Sequence, residues 1–406
     1  MWIRNCWYVV AWDHEIPSAD APTLFRRVVL GEPLLFSRSQ QGDVVALEDR
    51  CCHRHAPLSA GRREGDCIRC GYHGLLFDRG GVCIEVPGAD KVPAKACVRR
   101  YPAVLHNKWV MVWMGDPDAA DPALLPDNFS CDHPDWRYLP GYLHYDTPWA
   151  LIADNLLDFS HLSYVHEATL GGSERIAHVR PAVERIERGV RVSRRVPGVP
   201  PPAYYRPLWD FSGPIDRWLD YTFTLPATLL MHSGARPAGA PEDEGGDGIR
   251  FHSCQALTPE TATSTHYFFQ ESHPSDKGDA GTTQSIFDGL MAAFGEDRDM
   301  ISAQWRNLGL GSEFPMLSLA MDAALTQFRR VLQAASEVEA RRDVAARSSG
   351  CGAREAHGTI AFPHVPVMSL GHCQYCVRAA MTRSSRCCLT HMASAAVQLL
   401  TLGVAA

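Results

Sequence analysis

The chain has 406 residues, a formal net charge of −7, and 46% hydrophobic residues, a composition that is ordinary for a globular protein. The negative charge argues against a nucleic-acid or anionic-membrane partner, because such partners bind a basic face. No apolar run reaches the ~20 residues that span a bilayer, and residues 1–8 lack the pattern of a signal peptide. We therefore expect a cytoplasmic protein whose 14 cysteines are metal ligands or buried thiols.

The first 115 residues predict a domain built mainly of β-strands. Short apolar runs at 28–30, 34–36, 44–47 and 109–113 are separated by glycine, proline and polar residues. A segment rich in proline and aspartate follows from 116 to 126, which is typical of a linker. We place the first domain at 1–115 and begin the second at 116.

Two cysteine–histidine pairs lie in this first domain. Cys51-x-His53 and Cys70-x-x-His73 are separated by sixteen residues. Two cysteines on one iron and two histidines on the other form the ligand set of a Rieske [2Fe–2S] cluster. A Cys₂His₂ zinc site uses the same ligand types, but the spacing favours the cluster. Cys67, which precedes Cys70 in a Cys-x-x-Cys pattern, is then not a ligand.

A polar stretch at 154–166 lies in the second domain. It overlaps an apolar stripe formed by Leu151, Ile152, Leu156 and Leu157, which predicts a helix docked against the core. Asn155, Asp158, His161 and His166 fall within one arc of an ideal helix, roughly 140° wide. The two histidines are five residues apart, which predicts a helix end or an irregularity between them. Two imidazoles with one carboxylate are the ligands of a non-haem ferrous site; a solvated helix face is the alternative.

The remainder of the second domain, to residue 340, alternates between strand and helix patterns. Residues 182–196 predict a hairpin around Gly189, and 218–225, 249–257 and 261–270 predict further strands. The Gly- and Pro-rich residues 237–247 predict a surface loop. Helical spacing is found at 282–308, and a second helix is expected at 316–340.

Several polar residues of this domain have two interpretations. The arginines of the predicted hairpin could hold an anionic substrate, although a solvated strand face is favoured; they are Arg180, Arg185, Arg188, Arg191, Arg194 and Arg195. His252, Gln255 and His266 could line a pocket or be hydrogen-bonded structural residues, and the pattern does not separate these interpretations.

Residues 341–406 differ from the rest in composition. They contain seven arginines and two acidic residues, a formal charge of 7 − 2 = +5, and five of the cysteines. We expect a basic, Cys/Arg-rich tail of low order. Cys373-x-x-Cys376 with Cys387 and His391 could bind zinc, but the flanking residues show no finger-like pattern.

The motifs together resemble one family. Residues 51–58 and 71–78 are similar to the cluster loops of Rieske non-haem iron oxygenases, apart from Cys52, where that family usually has proline. Residues 155–166 resemble the family's mononuclear iron motif, and residues 4–8, 257–261 and 296–297 extend the match over about 1–340. The similarity is greatest to the phthalate-type branch, which includes vanillate O-demethylase, toluenesulfonate methyl-monooxygenase, dicamba demethylase and phenoxybenzoate dioxygenase.

The resemblance implies an α+β protein with an N-terminal all-β Rieske domain and a C-terminal helix-grip catalytic domain, in which an antiparallel sheet wraps around a long helix. It implies that His161, His166 and Asp297 bind a catalytic Fe(II). Asp299 and Asp288 lie on the same predicted helix and are alternatives to Asp297.

Asp158 takes the place of the family's bridging aspartate. Its carboxylate is expected near His161, where it would orient the imidazole and raise its basicity. In the family this aspartate also reaches a cluster histidine of the neighbouring subunit, here His73, which implies a homotrimer.

No Gly-x-Gly-x-x-Gly motif follows a strand, so the resemblance implies a separate NAD(P)H-dependent reductase with flavin and a [2Fe–2S] cluster. The expected substrates are O₂ and an aromatic acid. We favour a carboxylated aryl ether, cleaved by phenoxybenzoate-type ring dioxygenation, over methyl or methoxy monooxygenation. Two other classes remain: a Rieske electron-transfer protein, which would need only 1–115, and a structural zinc protein.

Overall fold

The structure is a computed structural model, which describes residues 2–171, 173–241 and 248–348. The strands are β1 (Trp7–Trp12), β2 (Phe25–Val29), β3 (Glu32–Arg38), β4 (Val44–Glu48), β5 (Arg62–Glu64), β6 (Cys67–Arg69), β7 (Leu76–Phe77), β8 (Cys83–Glu85), β9 (Arg100–Tyr101), β10 (Ala103–His106), β11 (Trp109–Trp113), β12 (Trp136–Arg137), β13 (Gly141–Tyr145), β14 (Ala182–Ile186), β15 (Gly189–Val199), β16 (Ile215–Thr224), β17 (Thr228–Pro237), β18 (Ile249–Pro259) and β19 (Thr265–Pro274). The α-helices are α1 (Trp149–Leu157), α2 (Arg175–His178), α3 (Ala280–Leu310) and α4 (Ala323–Ser348).

The N-terminal region contains three antiparallel sheets, with strand orders β1-β11-β10, β2-β3-β4-β9 and β5-β6-β7-β8. The apolar run Trp109–Trp113 is buried at every position and pairs with β1, so this sheet is covered on both faces. The all-β fold expected for this region is confirmed.

A large antiparallel sheet forms the C-terminal region. Its order is β12-β19-β18-β17-β16-β15-β14, and β13 also pairs with β19. Because side chains alternate along a strand, cross-strand partners share one face. Tyr221, Met231, Ser253 and Glu271 form one such row across four strands. We call their side the inner face; it shares its core with α3, whereas the opposite face packs against tryptophans of β1 and β11.

Helix α3 lies across the inner face. Asp279 caps its first turn by accepting a hydrogen bond from the Thr282 N–H at 2.9 Å. The side chains that it buries recur every three or four residues; they are Thr283, Ile286, Leu290, Ala293, Phe294, Asp297 and Ile301. The predicted helix, and the sheet wrapped around it, are therefore confirmed, with one carboxylate in an otherwise largely apolar buried row.

Some boundaries differ from the predictions. Helix α4 begins at Ala323 instead of 316, directly after a 3₁₀ turn at Ala320–Asp322. The helix also continues to Ser348, past the expected boundary at 340. Strand β17 was not predicted. Among the described residues no helix is both long and apolar enough to cross a membrane. Residues 349–406, with the zinc candidate at Cys373, Cys376, Cys387 and His391, lie outside the described residues.

Candidate active site and metal centres

The loops that carry the two cysteine–histidine pairs have the same backbone hydrogen bonds. The N–H of Cys51 and that of Cys70 each donate to the carbonyl five residues later, at 2.8 Å in both loops. Each cysteine carbonyl accepts from the N–H four residues later, at 2.8 and 3.1 Å. That fourth residue, His55 or Gly74, has a positive φ of 56° or 75°. Two equivalent turns therefore present two equivalent ligand pairs.

The four side chains divide into an inner and an outer pair. Cys51 and Cys70 are only 2% and 3% exposed. His53 and His73 are exposed, and their ring centroids lie 4.5 Å apart. The ligand atoms of these four described residues do not all lie within 4.8 Å of one another, as binding to one zinc ion would require. The arrangement fits two iron atoms, with sulfur ligands inside and imidazoles at the surface.

The polar stretch at 154–166 is not one continuous helix. Helix α1 ends at Leu157, and Asp158 caps a 3₁₀ turn, Phe159–Ser163, through a 2.9 Å bond from the Ser160 N–H. The 3₁₀ turn ends at Ser163, so the backbone is irregular between His161 and His166, as their five-residue spacing predicted. The centroids of their rings lie 5.2 Å apart.

Asp297 of α3 completes a compact trio with these histidines. Its Oδ1 atom lies 3.5 Å from Nε2 of His161 and 3.2 Å from Nε2 of His166. One ligand atom from each residue lies within 4.8 Å of the others. Asp299 is 84% exposed at its side chain and Asp288 is also exposed. The geometry thus favours Asp297 as third ligand, and two imidazoles with a carboxylate fit Fe(II).

Three further contacts orient the ligand atoms. The Nδ1 of His161 lies 2.6 Å from the Asp158 carbonyl, and the Nδ1 of His166 lies 2.7 Å from Oε2 of Glu296. The Asn155 amide donates to Oδ1 of Asp297 at 2.9 Å. Because Nδ1 donates in each ring, each Nε2 keeps a lone pair for a metal ion.

The protonation of the two histidines differs. Burial lowers the pKa of His161. Burial also acts to lower the pKa of His166, but the carboxylates of Asp297 and Glu296 outweigh it, so this pKa is raised. A ligating imidazole must be neutral. Protons therefore compete with a metal ion at His166 at a higher pH than at His161.

The expected role of Asp158 toward His161 requires a correction. The backbone carbonyl, and not the carboxylate, contacts the imidazole. The carboxylate accepts from the backbone and hydroxyl of Ser160, and Oδ1 lies 3.6 Å from Nη2 of Arg194. The carboxylate instead caps the 3₁₀ turn, although its charge still acts to raise the pKa of His161 against the larger effect of burial.

The predicted solvated face of the arginine hairpin is only partly correct. Arg191 and Arg195 are exposed and pair with Glu184 and Asp220. Arg194 instead is 4% exposed, because the alternation of β15 places it on the inner face, where its Nη2 atom lies 3.6 Å from Oδ1 of Asp158. The alternation of apolar residues along β15 could have predicted that Arg194 is buried.

The other undecided polar residues also separate by face. Gln255 lies on the inner face and accepts from the Tyr267 hydroxyl at 2.5 Å. His252 and His266 lie on the opposite face. Glu296 was not predicted as a functional residue, although it immediately precedes Asp297.

Comparisons with known proteins identify both regions. Residues 6–102 match the Rieske [2Fe–2S] domain, and residues 145–337 match the vanillate O-demethylase oxygenase C-terminal domain. The toluene-4-sulfonate monooxygenase system iron-sulfur subunit of Comamonas testosteroni is 44% identical over 82% of this chain and 96% of its own length. The chain belongs to the Rieske non-haem iron oxygenases. The match covers both regions, so the chain is an oxygenase component and not an isolated electron carrier or a structural zinc protein.

Other members of this Rieske oxygenase family support the assignment. A vanillate O-demethylase oxygenase subunit of Pseudomonas sp. is 34% identical over 75% of this chain and 94% of its own. A crystal structure of dicamba monooxygenase bound to 3,6-dichlorosalicylic acid superposes with a TM-score of 0.77, at 31% identity, covering 83% and 98% of the two chains. A further dicamba monooxygenase structure contains non-haem iron, in agreement with the donor set of His161, His166 and Asp297.

The contact between Glu296 and His166 generates a first prediction. Glu296→Gln should weaken Fe(II) binding by about 10- to 100-fold, because the acceptor that orients the imidazole and raises its basicity is weakened. Fe(II) titration of metal-depleted protein measures the change. The electron paramagnetic resonance spectrum of the reduced cluster should be unaltered. Glu313→Gln, at an exposed position, is the control; equal affinity in both variants would contradict the role of Glu296.

Proposed function

We propose that this Rieske oxygenase hydroxylates the methyl or methoxy carbon of an aromatic acid. The observation that carries the proposal is the 44% identity to the toluene-4-sulfonate monooxygenase subunit over nearly the whole of that protein. The C-terminal match to a vanillate O-demethylase domain supports it. These relatives are named as monooxygenases and O-demethylases, which ranks this reaction above the phenoxybenzoate-type ring dioxygenation favoured from the sequence.

The proposed reaction is a two-electron monooxygenation. A methyl group, O₂, two electrons and two protons give an alcohol and water; a methoxy group gives a hemiacetal that releases formaldehyde and a phenol. The iron, when bound, supplies oxygen activation. The protein holds its three ligands on buried elements and fixes the orientation of the substrate carbon, which decides the product. A separate NAD(P)H-dependent reductase with flavin and [2Fe–2S] groups would supply the electrons.

This function predicts a defined product. With a competent reductase, 4-toluenesulfonate should give 4-(hydroxymethyl)benzenesulfonate, and vanillate should give protocatechuate and formaldehyde if methoxy groups are accepted. Liquid chromatography with mass spectrometry, together with oxygen uptake, separates these products from a ring diol. A diol, or phenol release from a phenoxybenzoate in preference to both, would contradict the proposal. Absence of acid-labile sulfide in the isolated protein would contradict the cluster itself.

We propose further that electrons pass between subunits of a homotrimer, from a cluster near His73 to the iron site near Asp158. Two exposed surfaces support this interpretation. His53, His73 and Tyr72 are exposed at the cluster end, and Tyr72 is 64% exposed. At the iron end Tyr164 is 65% exposed, and the Asp158 side chain retains 16% exposure.

The Asp158 carboxylate is predicted to be needed for turnover and not for assembly of either metal centre. Asp158→Asn should retain the iron content and the cluster spectrum, because asparagine also caps a helical turn. The turnover number should fall by about 10- to 100-fold. Asp299→Asn, on the exposed side of α3, serves as the matched control. Full turnover by Asp158→Asn would remove this carboxylate from the electron path.

Mixed trimers test whether electrons cross between subunits. Cys51→Ser lacks a cluster ligand and His161→Ala lacks an iron ligand, so each variant alone should be inactive. Co-expressed with two different affinity tags and purified through both, the mixture should regain activity, because an intact cluster then faces an intact iron site in a neighbouring subunit. Light scattering measures the oligomeric state. Mixed oligomers without activity would indicate transfer within one chain.

A further inference from the structure

A group of buried polar side chains lies on the inner face outside the iron trio. Arg217 of β16 is 3% exposed, Ser253 of β18 is 5% exposed, and Glu271 of β19 is 7% exposed. Tyr205, from the 3₁₀ turn Ala203–Tyr205, is fully buried, and the Arg217 guanidinium lies 5.2 Å above its ring centroid. We call Tyr205, Arg217, Ser253 and Glu271 the inner polar group.

The inner polar group is connected to the iron site through one loop. Arg217 donates from Nη1 to the Gly171 carbonyl at 2.9 Å and from Nη2 to the Leu170 carbonyl at 3.3 Å. The Gly171 N–H in turn donates to the carbonyl of His166 at 2.9 Å. A Cβ atom at Gly171 would lie 1.8 Å from the Leu162 carbonyl oxygen, so this close approach requires glycine.

Strand β16 also leads from this group to the iron site along the inner face. Arg217, Leu219 and Tyr221 alternate on that face, and the Tyr221 hydroxyl donates to the carbonyl of Leu157, the last residue of α1. From Arg217 to Tyr221 the strand rises about 13 Å, at about 3.3 Å per residue. Leu219 therefore separates Arg217 from Tyr221 on this face, and its cross-strand partner on β15 is the buried Arg194.

Three polar atoms of the inner polar group make no hydrogen bond of good geometry among the described residues, although the Arg217 guanidinium also lies beside the Tyr204 and Tyr205 side chains. They are Nε of Arg217, the hydroxyl of Tyr205 and Oε1 of Glu271. The other carboxyl oxygen of Glu271 accepts from the Ser253 hydroxyl at 2.8 Å. Leaving a buried polar group unpaired costs about 1–3 kcal/mol. Several such atoms around one guanidinium indicate a polar partner that binds there.

The chemistry of these atoms favours an oxyanion. Arg217 and Tyr205 offer unused donors, and the guanidinium adds a fixed positive charge. Burial raises the pKa of Glu271 to about 7, against the opposing effects of Ser253 and Arg217. The carboxyl is therefore mostly protonated below that pH, where it does not repel an anion and can donate a hydrogen bond.

We propose that Arg217 and Tyr205 bind the sulfonate or carboxylate of the aromatic substrate, whose ring then lies along Leu219 with its methyl or methoxy carbon toward the iron trio. The inference rests on the proposed function, since it supposes that the substrate is an aromatic acid. Sulfonate and carboxylate share the required chemistry, and the binding experiment distinguishes them.

Tyr205→Phe is the most discriminating variant, because it deletes a hydroxyl that makes no hydrogen bond of good geometry in the free protein. The unfolding temperature should be unchanged or raised. Calorimetric titration of the iron- and cluster-loaded enzyme would use 4-toluenesulfonate, 4-methylbenzoate and the uncharged 4-toluenesulfonamide. We expect the variant to bind at least one acid about 10-fold more weakly and the sulfonamide less than about threefold more weakly.

Arg217→Met should weaken acid binding by about 100-fold or more, and Arg217→Lys should restore part of it, because the charge is kept but the fork of donors is lost. For the acid that turns over, KM should rise while kcat changes little, as expected for lost ground-state binding. Arg191→Met, an exposed arginine of β15, is the matched control and should bind like the wild type.

The outcomes separate this inference from the proposed function. Equal loss of acid and sulfonamide binding in both variants would show that the inner polar group only supports the loop at 170–171, and would overturn the inference. Unchanged acid binding in Tyr205→Phe and Arg217→Met would also overturn it, and would indicate a bound water as the missing partner. Failure of the wild type to bind or convert either acid would instead overturn the proposed function.

Discussion

The catalytic domain depends on one buried carboxylate. Asp297 is 5% exposed on the face of α3 that is otherwise largely apolar, and a buried charge is tolerated only when it is paired or bound to metal. His161, His166 and the Asn155 amide meet that requirement from a segment more than 130 residues earlier in the chain. The long helix, the sheet wrapped around it and the break after α1 are all needed to bring these groups together.

The two metal centres differ in how they meet solvent. The cluster histidines are exposed, whereas His166 and Asp297 are buried. An exposed edge suits electron transfer across a protein–protein contact. A buried centre suits oxygen chemistry, because exclusion of water strengthens the electrostatic interactions inside the site and limits side reactions.

Strand alternation decides which polar residues of the sheet can take part in catalysis. Arg194, Arg217, Gln255 and Glu271 lie on the inner face, with the iron trio and α3. His252, next to Ser253 in the same strand, lies on the opposite face of the sheet. A shift of one residue in register would exchange the two sets, so the chemistry of the site depends on the pairing of β15 to β19.

The sequence by itself determined the cluster motif around Cys51 and Cys70, the irregularity between His161 and His166 and the long helix bearing Asp297, because these depend on local spacing and periodicity. The two fold types were implied by the resemblance of these motifs to one family. The resemblance indicated Asp297 as the third ligand, but helical spacing alone did not separate it from Asp288 and Asp299, since all three lie on one helix and differ in burial. The sequence also missed the acceptor roles of Glu296 and the Asp158 carbonyl, the burial of Arg194 and the inner polar group. Those are products of tertiary structure, because contacts between residues distant in sequence exist only after the strands have paired and α3 has packed against them.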